Sequence, residues 1–172
     1  MKIAIAVLAV LVVLVLLVVL IGYSLPVAHR ASRQVRLAVP ADSVFAAISN
    51  VRQYPAWRKS VTRVETLADV DGKARFREVT GNGAITYSVD ENVPGKRRVT
   101  RIGDPSLPFG GKWTYEVTPD GAGSTLRITE DGEVYNPIFR LMSRTVFPTH
   151  KTIETFLSDL GARLGVPVQI TE

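Results

Sequence analysis

The residues best suited to chemistry in this chain are Glu78, Arg101 and Glu130, because each falls on the apolar side of an alternating strand pattern. An unpaired buried charge is costly, so residues placed there need partners. Arg101 could pair with one or both carboxylates and give an apolar chamber a polar end. The structural alternative is that these residues sit near strand ends and reach solvent, or that a bulge reverses one register. His150 lies four positions after Val146 and can share its helical face, although a lone helical His is more often structural than catalytic, and His29 is too distant in the chain to pair with it. There is no cysteine to act as nucleophile, no His or carboxylate spacing for a metal, no glycine motif for a nucleotide and no Gly-x-Ser-x-Gly elbow. No cofactor is therefore expected. Any catalysis would use Glu130 or Glu78 as base, with Arg101 or Tyr87 polarising a carbonyl.

The elements that must position these groups are read from periodicity. Residues 33–39 alternate, with Val35, Leu37 and Val39 on one face, and predict a strand. Pro40-Ala41-Asp42-Ser43 leads into Val44, Phe45, Ile48 and Val51, a helix of about three turns with Asp42 or Ser43 as its cap. Tyr54-Pro55-Ala56-Trp57 ends it, since the residue before proline leaves the α region. Period two then governs 61–67, 74–80, 84–91, 97–102, 112–118 and 125–134. The turn signals between them include Asp71-Gly72, Gly81-Asn82-Gly83, Pro94-Gly95 and Asp120-Gly121. Short connections imply an antiparallel meander. Phe139, Met142, Val146, Ile153, Phe156, Leu157, Leu160 and Leu164 return to helical spacing. Asn136-Pro137 suits the start, Pro148 predicts a kink or break, and Gly165 with Pro167 stops a main helix over about 149–164.

Alternation also predicts which residues face inward. They are Phe76 and Glu78; Ile85, Tyr87 and Val89; Val99 and Arg101; Trp113, Tyr115 and Val117; Leu126, Ile128 and Glu130, joined by Phe139, Met142, Val146, Ile153 and Phe156 from the helix. Such a stripe is ordinary core unless packing is incomplete, in which case the same residues line a pocket. Tyr54 and Trp57 either flank its entrance or fix the turn. The 103–111 loop, with Leu107 and Phe109 among prolines and glycines, is either a gate or membrane contact, or a hairpin tucked on the sheet edge.

One further element stands apart. The nineteen residues from Ile3 to Ile21 are all Ile, Ala, Val or Leu. At about 1.5 Å per residue a helix of that length comes close to the roughly 30 Å hydrocarbon core of a bilayer. Gly22, Tyr23 and Pro26 mark its exit, with Tyr23 where an interfacial aromatic would sit. The rival reading is a cleaved signal peptide, but the run is long for one, and Pro26 falls where a cut after Ala28 would need a small residue. Lys2 lies before the run and Arg30, Arg33 and Arg36 after it, so charge favours a cytoplasmic domain only weakly. The expected organisation is an anchor over 1–23, a stalk over 24–32, one domain over 33–165 and a tail over 166–172. Of 21 Lys and Arg only Lys2 belongs to the anchor, against 16 Asp and Glu, and the excess forms no dense run. A lipid bilayer is the expected partner and nucleic acid is not.

The stretch from Val39-Pro40-Ala41-Asp42-Ser43-Val44-Phe45-Ala46-Ala47-Ile48 to Tyr54-Pro55-Ala56-Trp57, with this order of elements, resembles the polyketide cyclase/dehydrase branch of the START-like (SRPBCC) superfamily. The resemblance spans 33–164. It implies an α+β helix-grip (START/Bet v 1-like) fold, with a curved antiparallel sheet of about seven strands wrapped on a long C-terminal helix, and a deep apolar cavity between them. The expected function is a membrane-anchored protein that holds a lipid or other apolar small molecule. Cyclase or dehydratase activity in the same cavity, or an interaction module without ligand, are the alternatives. The candidate pocket residues are Phe76, Glu78, Tyr87, Val89, Arg101, Trp113, Tyr115, Ile128, Glu130, Phe139, Met142, Val146, His150 and Ile153.

Overall fold

The computed structural model describes residues 2–145 and 148–172. Helix α1, Lys2–Ser24, carries the apolar run and extends into Tyr23. Strand β1, Ala28–Leu37, then pairs antiparallel with a strand near the other end of the sequence. It starts five residues before the expected 33, so most of the expected stalk is sheet. The inward positions before Val35 carry Arg33, Ala31 and His29 and so hide the period, which nevertheless continues through them: Arg33 Nε donates to Glu154 Oε1 of the C-terminal helix at 3.1 Å.

Helix α2, Ala41–Ser49, begins at Pro40, whose carbonyl accepts from the Ser43 and Val44 amides; no side chain caps it, so Asp42 and Ser43 do not play that part. A 3₁₀ turn, Val51–Ala56, holds the Tyr54-Pro55 pair. The meander follows as β2 (Val61–Val70), β3 (Lys73–Thr80), β4 (Gly83–Val93), β5 (Arg97–Ile102), β6 (Phe109–Asp120) and β7 (Gly123–Val134). Helix α3, Pro137–Thr145, and helix α4, His150–Leu164, lie on either side of Pro148, and α4 ends on Gly165, whose φ of 69° suits a residue without Cβ. The tail adds β8, Ile170–Thr171, on Gln34 and Val35.

The sheet order is β2-β3-β4-β5-β6-β7-β1-β8, all antiparallel. The helix-grip arrangement is therefore present, with one strand more than expected. The packed half of the grip joins Val35, Leu37, Val117, Leu126 and Ile128 of the sheet to Val44 and Ile48 of α2 and to Ile153, Phe156, Leu157 and Leu160 of α4. Alternating hairpins assign each turn to one end of the sheet. The β3–β4 and β5–β6 connections lie with the start of β1 and the end of β7, where α1 emerges; the β2–β3, β4–β5 and β6–β7 turns lie at the far end.

Candidate functional site

Where α4 no longer fills the grip, a cavity of about 710 Å³ remains between the sheet, α3 and the start of α4. That size falls within the range of small-molecule sites. Its apolar wall comes from Phe76, Ile85, Tyr87, Ile102, Trp113 and, at the α1 end, Phe109, Val134, Phe139 and Met142. Phe76 and Tyr87, opposite each other on β3 and β4, stack at 5.2 Å. Behind them Tyr54, Trp57, Trp113 and Tyr115 surround Phe156 of α4 at centroid distances from 5.4 to 6.3 Å for the pairs that involve it. Tyr54 thus both fixes its turn, by donating to the Ile48 carbonyl at 2.6 Å, and reaches the cavity wall.

Two polar pairs enter this wall. Arg58 Nη1 donates to Glu78 Oε1 at 2.6 Å, and its guanidinium lies 4.8 Å from the Tyr54 ring centroid and 5.1 Å from that of Phe156. Burial raises the Glu78 carboxyl above the usual carboxylate range even though Arg58 opposes it. Burial lowers Arg58, but Glu78 and the neighbouring phenols outweigh it and the guanidinium is held more firmly protonated than usual. The second pair is His29 on β1 and Glu130 on β7, with Nε2 and Oε1 3.2 Å apart. A Cβ on Gly132 would occupy the place of the His29 ring, so the glycine makes this contact possible. The other Glu130 oxygen is buried without a partner among the described residues. Burial pushes Tyr115 up to about 12 and raises Tyr54 and Tyr87 as well. The three phenols are neutral donors at ordinary pH.

Of the residues expected at the site, Phe76, Glu78, Tyr87, Trp113, Tyr115, Glu130, Phe139 and Met142 meet at this cavity. Arg101 does not. The inward residues of β5 are Arg98, Thr100 and Ile102, opposite Tyr115, Trp113 and Tyr87. Arg101 is exposed on the other face, where its Nε donates to Asp90 Oδ2 at 2.7 Å. Its register was anchored on Val99, which is buried on that outer face, whereas the inward positions carry polar Arg98 and Thr100. Val89 shares the face of Tyr87 but lies outside the cavity wall, and Ile128 and Ile153 are sealed in the packed core. His150 lines a smaller cleft of about 460 Å³ between the chain leaving α1 and the α3–α4 corner. Val146 lies outside the described residues.

Arg58 and His29 were missed. Arg58 sits in an aperiodic turn and takes the role assigned to Arg101. His29 is at the same parity as Val35 and Leu37, and extending the β1 alternation backwards would have found it.

A curved antiparallel sheet gripping a C-terminal helix, with a largely apolar chamber left between them, defines the helix-grip class. Residues 28–165 match the family described as polyketide cyclase / dehydrase and lipid transport, and the chain belongs to it. Among solved structures it is similar to a START superfamily protein from Mycobacterium smegmatis, at 19% identity over 80% of this chain and 97% of that one, with a TM-score of 0.65. It is also similar to the Zhui aromatase/cyclase from Streptomyces sp. R1128, at 20% identity over 80% and 92%, with a TM-score of 0.62. No curated protein matches the chain.

Proposed function

We propose that this chain is a membrane-anchored binding protein that holds a lipid or similar apolar small molecule between its sheet and its C-terminal helices. The cavity carries this reading: it is large, its wall is mostly aromatic and aliphatic, and its charged groups are largely paired with one another. The family's description and the START superfamily likeness support the same reading.

Helix α1 is long and apolar enough to span a membrane. Its retention in the mature protein is supported by its contacts beyond the apolar run. Gly22 is buried against Pro137 of α3, and Arg140 Nη1 donates to the carbonyls of Gly22 at 3.1 Å and Leu25 at 3.0 Å. Cleavage after Ala28 would strip a buried guanidinium of two acceptors. An intact-mass measurement of the membrane-extracted protein checks this.

The binding reading is tested by native mass spectrometry of the full chain released gently from membranes. A bound small molecule is expected, and it should be lost from Thr100→Phe, which extends a ring into the cavity from β5. A wild-type chain that always emerges empty, and that takes up no 11-(dansylamino)undecanoic acid, would overturn the reading.

A second reading, cyclase or dehydratase chemistry, is favoured by one observation. His29 and Glu130 place an acid–base couple in the cavity wall. Of the two groups expected to polarise a carbonyl, Arg101 is outside the cavity, while Tyr87 lines it. The aromatase/cyclase likeness, at 20% identity, extends to the fold alone.

A further inference from the structure

The cavity has a mouth, and the fold fixes where that mouth faces. Arg140 is buried at the joint between α1, α3 and the end of β7. Its Nε donates to the Val134 carbonyl at 2.9 Å and its Nη2 to that of Tyr135 at 3.0 Å, while Nη1 takes Gly22 and Leu25. One planar cation thus ties four carbonyls from two distant segments, and it does so at a helix C-terminus, where a cation is favoured. Arg144 adds a bond to the Pro26 carbonyl at 3.3 Å. Gly22 lets α3 approach until its Pro137 backbone touches the helix. The connection between helix and domain is a clamp, and no flexible stalk intervenes.

The level of this clamp follows from the sequence. The apolar run ends at Ile21, so Gly22 and Tyr23 stand at the edge of the hydrocarbon if residues 3–21 span it. Helix α3, docked on Gly22, then lies within the headgroup layer, which adds roughly 5 to 7 Å on each side of the core. The exposed large apolar side chains agree. Beyond residue 21 and among the described residues they are Tyr23, Val27, Tyr135, Ile138 and Phe139 at this joint, and Val70 and Val93 in the far-end hairpins. Tyr23 is 68% exposed and Phe139 47%. An apolar patch beside a spanning helix, containing aromatics and bordered by Arg144, by the Arg30–Asp131 ion pair and by Glu133 bonded to Tyr135, has the mixed aromatic and polar composition of a bilayer interface. Phe139 belongs to the patch and to the cavity wall, together with Met142 from the next turn of α3 and Phe109 from the β5–β6 connection.

We propose that the Arg140 clamp seats α3 in the bilayer surface, so that the cavity mouth at Phe109, Phe139 and Met142 opens onto lipid. An apolar molecule then passes between membrane and cavity across Phe139 without crossing bulk water. The passage rests on the binding reading above; the seating does not.

The chain has no cysteine, so single-cysteine probes are clean. Full-length Ile138→Cys and Val70→Cys are labelled with NBD and reconstituted in phosphatidylcholine/phosphatidylglycerol vesicles containing nitroxide-labelled phospholipid. Ile138 is expected to emit to the blue of Val70 and to be quenched several-fold more strongly. Equal spectra and equal quenching at the two positions would overturn the seating. A second pair tests the clamp: Gly22→Val, which forces Pro137 away, or Arg140→Gln should broaden or abolish the Ile138 quenching while leaving Val70 unchanged. Quenching at Ile138 that is indifferent to both changes would overturn the clamp. Dansyl fatty acid uptake is read on the same vesicles. Uptake without seating sinks this proposal and leaves the binding reading standing; seating without uptake supports the proposed orientation and removes the binding reading.

Discussion

Replacing Arg58 by leucine is expected to destabilise the domain by an amount that depends on pH. The Glu78 side chain is 6% exposed, and Arg58 Nη1 lies 2.6 Å from its carboxylate. Without the guanidinium, Glu78 either stays ionised, at the 3–5 kcal/mol typical of a broken buried pair, or takes up a proton. From an ordinary glutamate pKa of about 4.3, protonation costs about 3.7 kcal/mol at about pH 7 and about 1 kcal/mol at about pH 5. Burial already holds this carboxyl above the usual range with Arg58 in place, so its loss favours the protonated form further. Loss of the guanidinium from the Tyr54 and Phe156 rings, 4.8 and 5.1 Å away, adds about 1 kcal/mol at either pH. In the variant the folded pKa of Glu78 lies above the unfolded value. Its contribution is therefore fully present below the unfolded pKa and is lost as pH rises through the folded one. Because the wild type already carries part of the Glu78 cost, the expected loss is at most about 4 to 5 kcal/mol at about pH 7 and at most about 2 kcal/mol at about pH 5. Denaturant unfolding of the detergent-solubilised full chain reads it, through the fluorescence of Trp57 and Trp113, which border Phe156. A loss of the same size at both pH values would refute the view that a stranded buried charge governs this site. The double change Arg58→Leu with Glu78→Leu should recover most of the loss at neutral pH.

Gly132→Ala drives a methyl group into the His29 ring and should cost about 1 to 2 kcal/mol. In a His29→Ala background the same change should be nearly neutral, and additive melting-temperature losses would show that the ring is not what Gly132 accommodates. On the outer face, burial pushes the Asp90 carboxyl up, but hydrogen bonds from Lys73 and Arg101 more than offset it and hold the group below the usual range. Its contribution is present above an unfolded pKa of about 3.9 and is lost as pH falls through the folded value. Asp90→Asn should therefore lower the melting temperature at neutral pH and flatten its decline in acid; an unchanged acid slope would assign the acid sensitivity elsewhere.

The order of elements was legible because it rests on period and punctuation. Strong β formers and glycine turns marked six strands of the meander, and Pro148 divided the C-terminal helical stripe. Legibility failed where polarity broke the pattern. The expected β1 begins at Arg33 because the polar stretch His29-Arg30-Ala31-Ser32 before it looks like exposed stalk, and an inward His29 or Arg33 looks like an exposed one until its partner is known. On β5 the inward positions are Arg98 and Thr100, so a register chosen on Val99 inverted the strand and sent Arg101 to the wrong face. The cavity itself left no trace in the pattern: Ile128 and Ile153 are as apolar as Phe76 and Met142, yet the first two are sealed in the core and the last two line the cavity. Only the path of α4 across the sheet separates them.

The same reasoning explains why the place of the helix in the chain matters to the proposed function. The meander alternates its turns between two ends, and α3 with the start of α4 covers the end where β1 begins and β7 finishes. A helix joined directly to β1, as α1 is, therefore emerges beside the cavity mouth, within reach of α3. The other terminus offers no such approach. Helix α4 leads away from the mouth, and β8 pairs with Gln34 and Val35 towards the far end of β1, so an anchor placed there would turn Phe139 into water. Arg140 completes the arrangement from a sequence position that advertises nothing, since its acceptors are backbone carbonyls and carry no side-chain signature. The proposed orientation on a membrane rests on sheet topology together with a single buried cation, and neither is visible in the apolar run that first suggests a membrane.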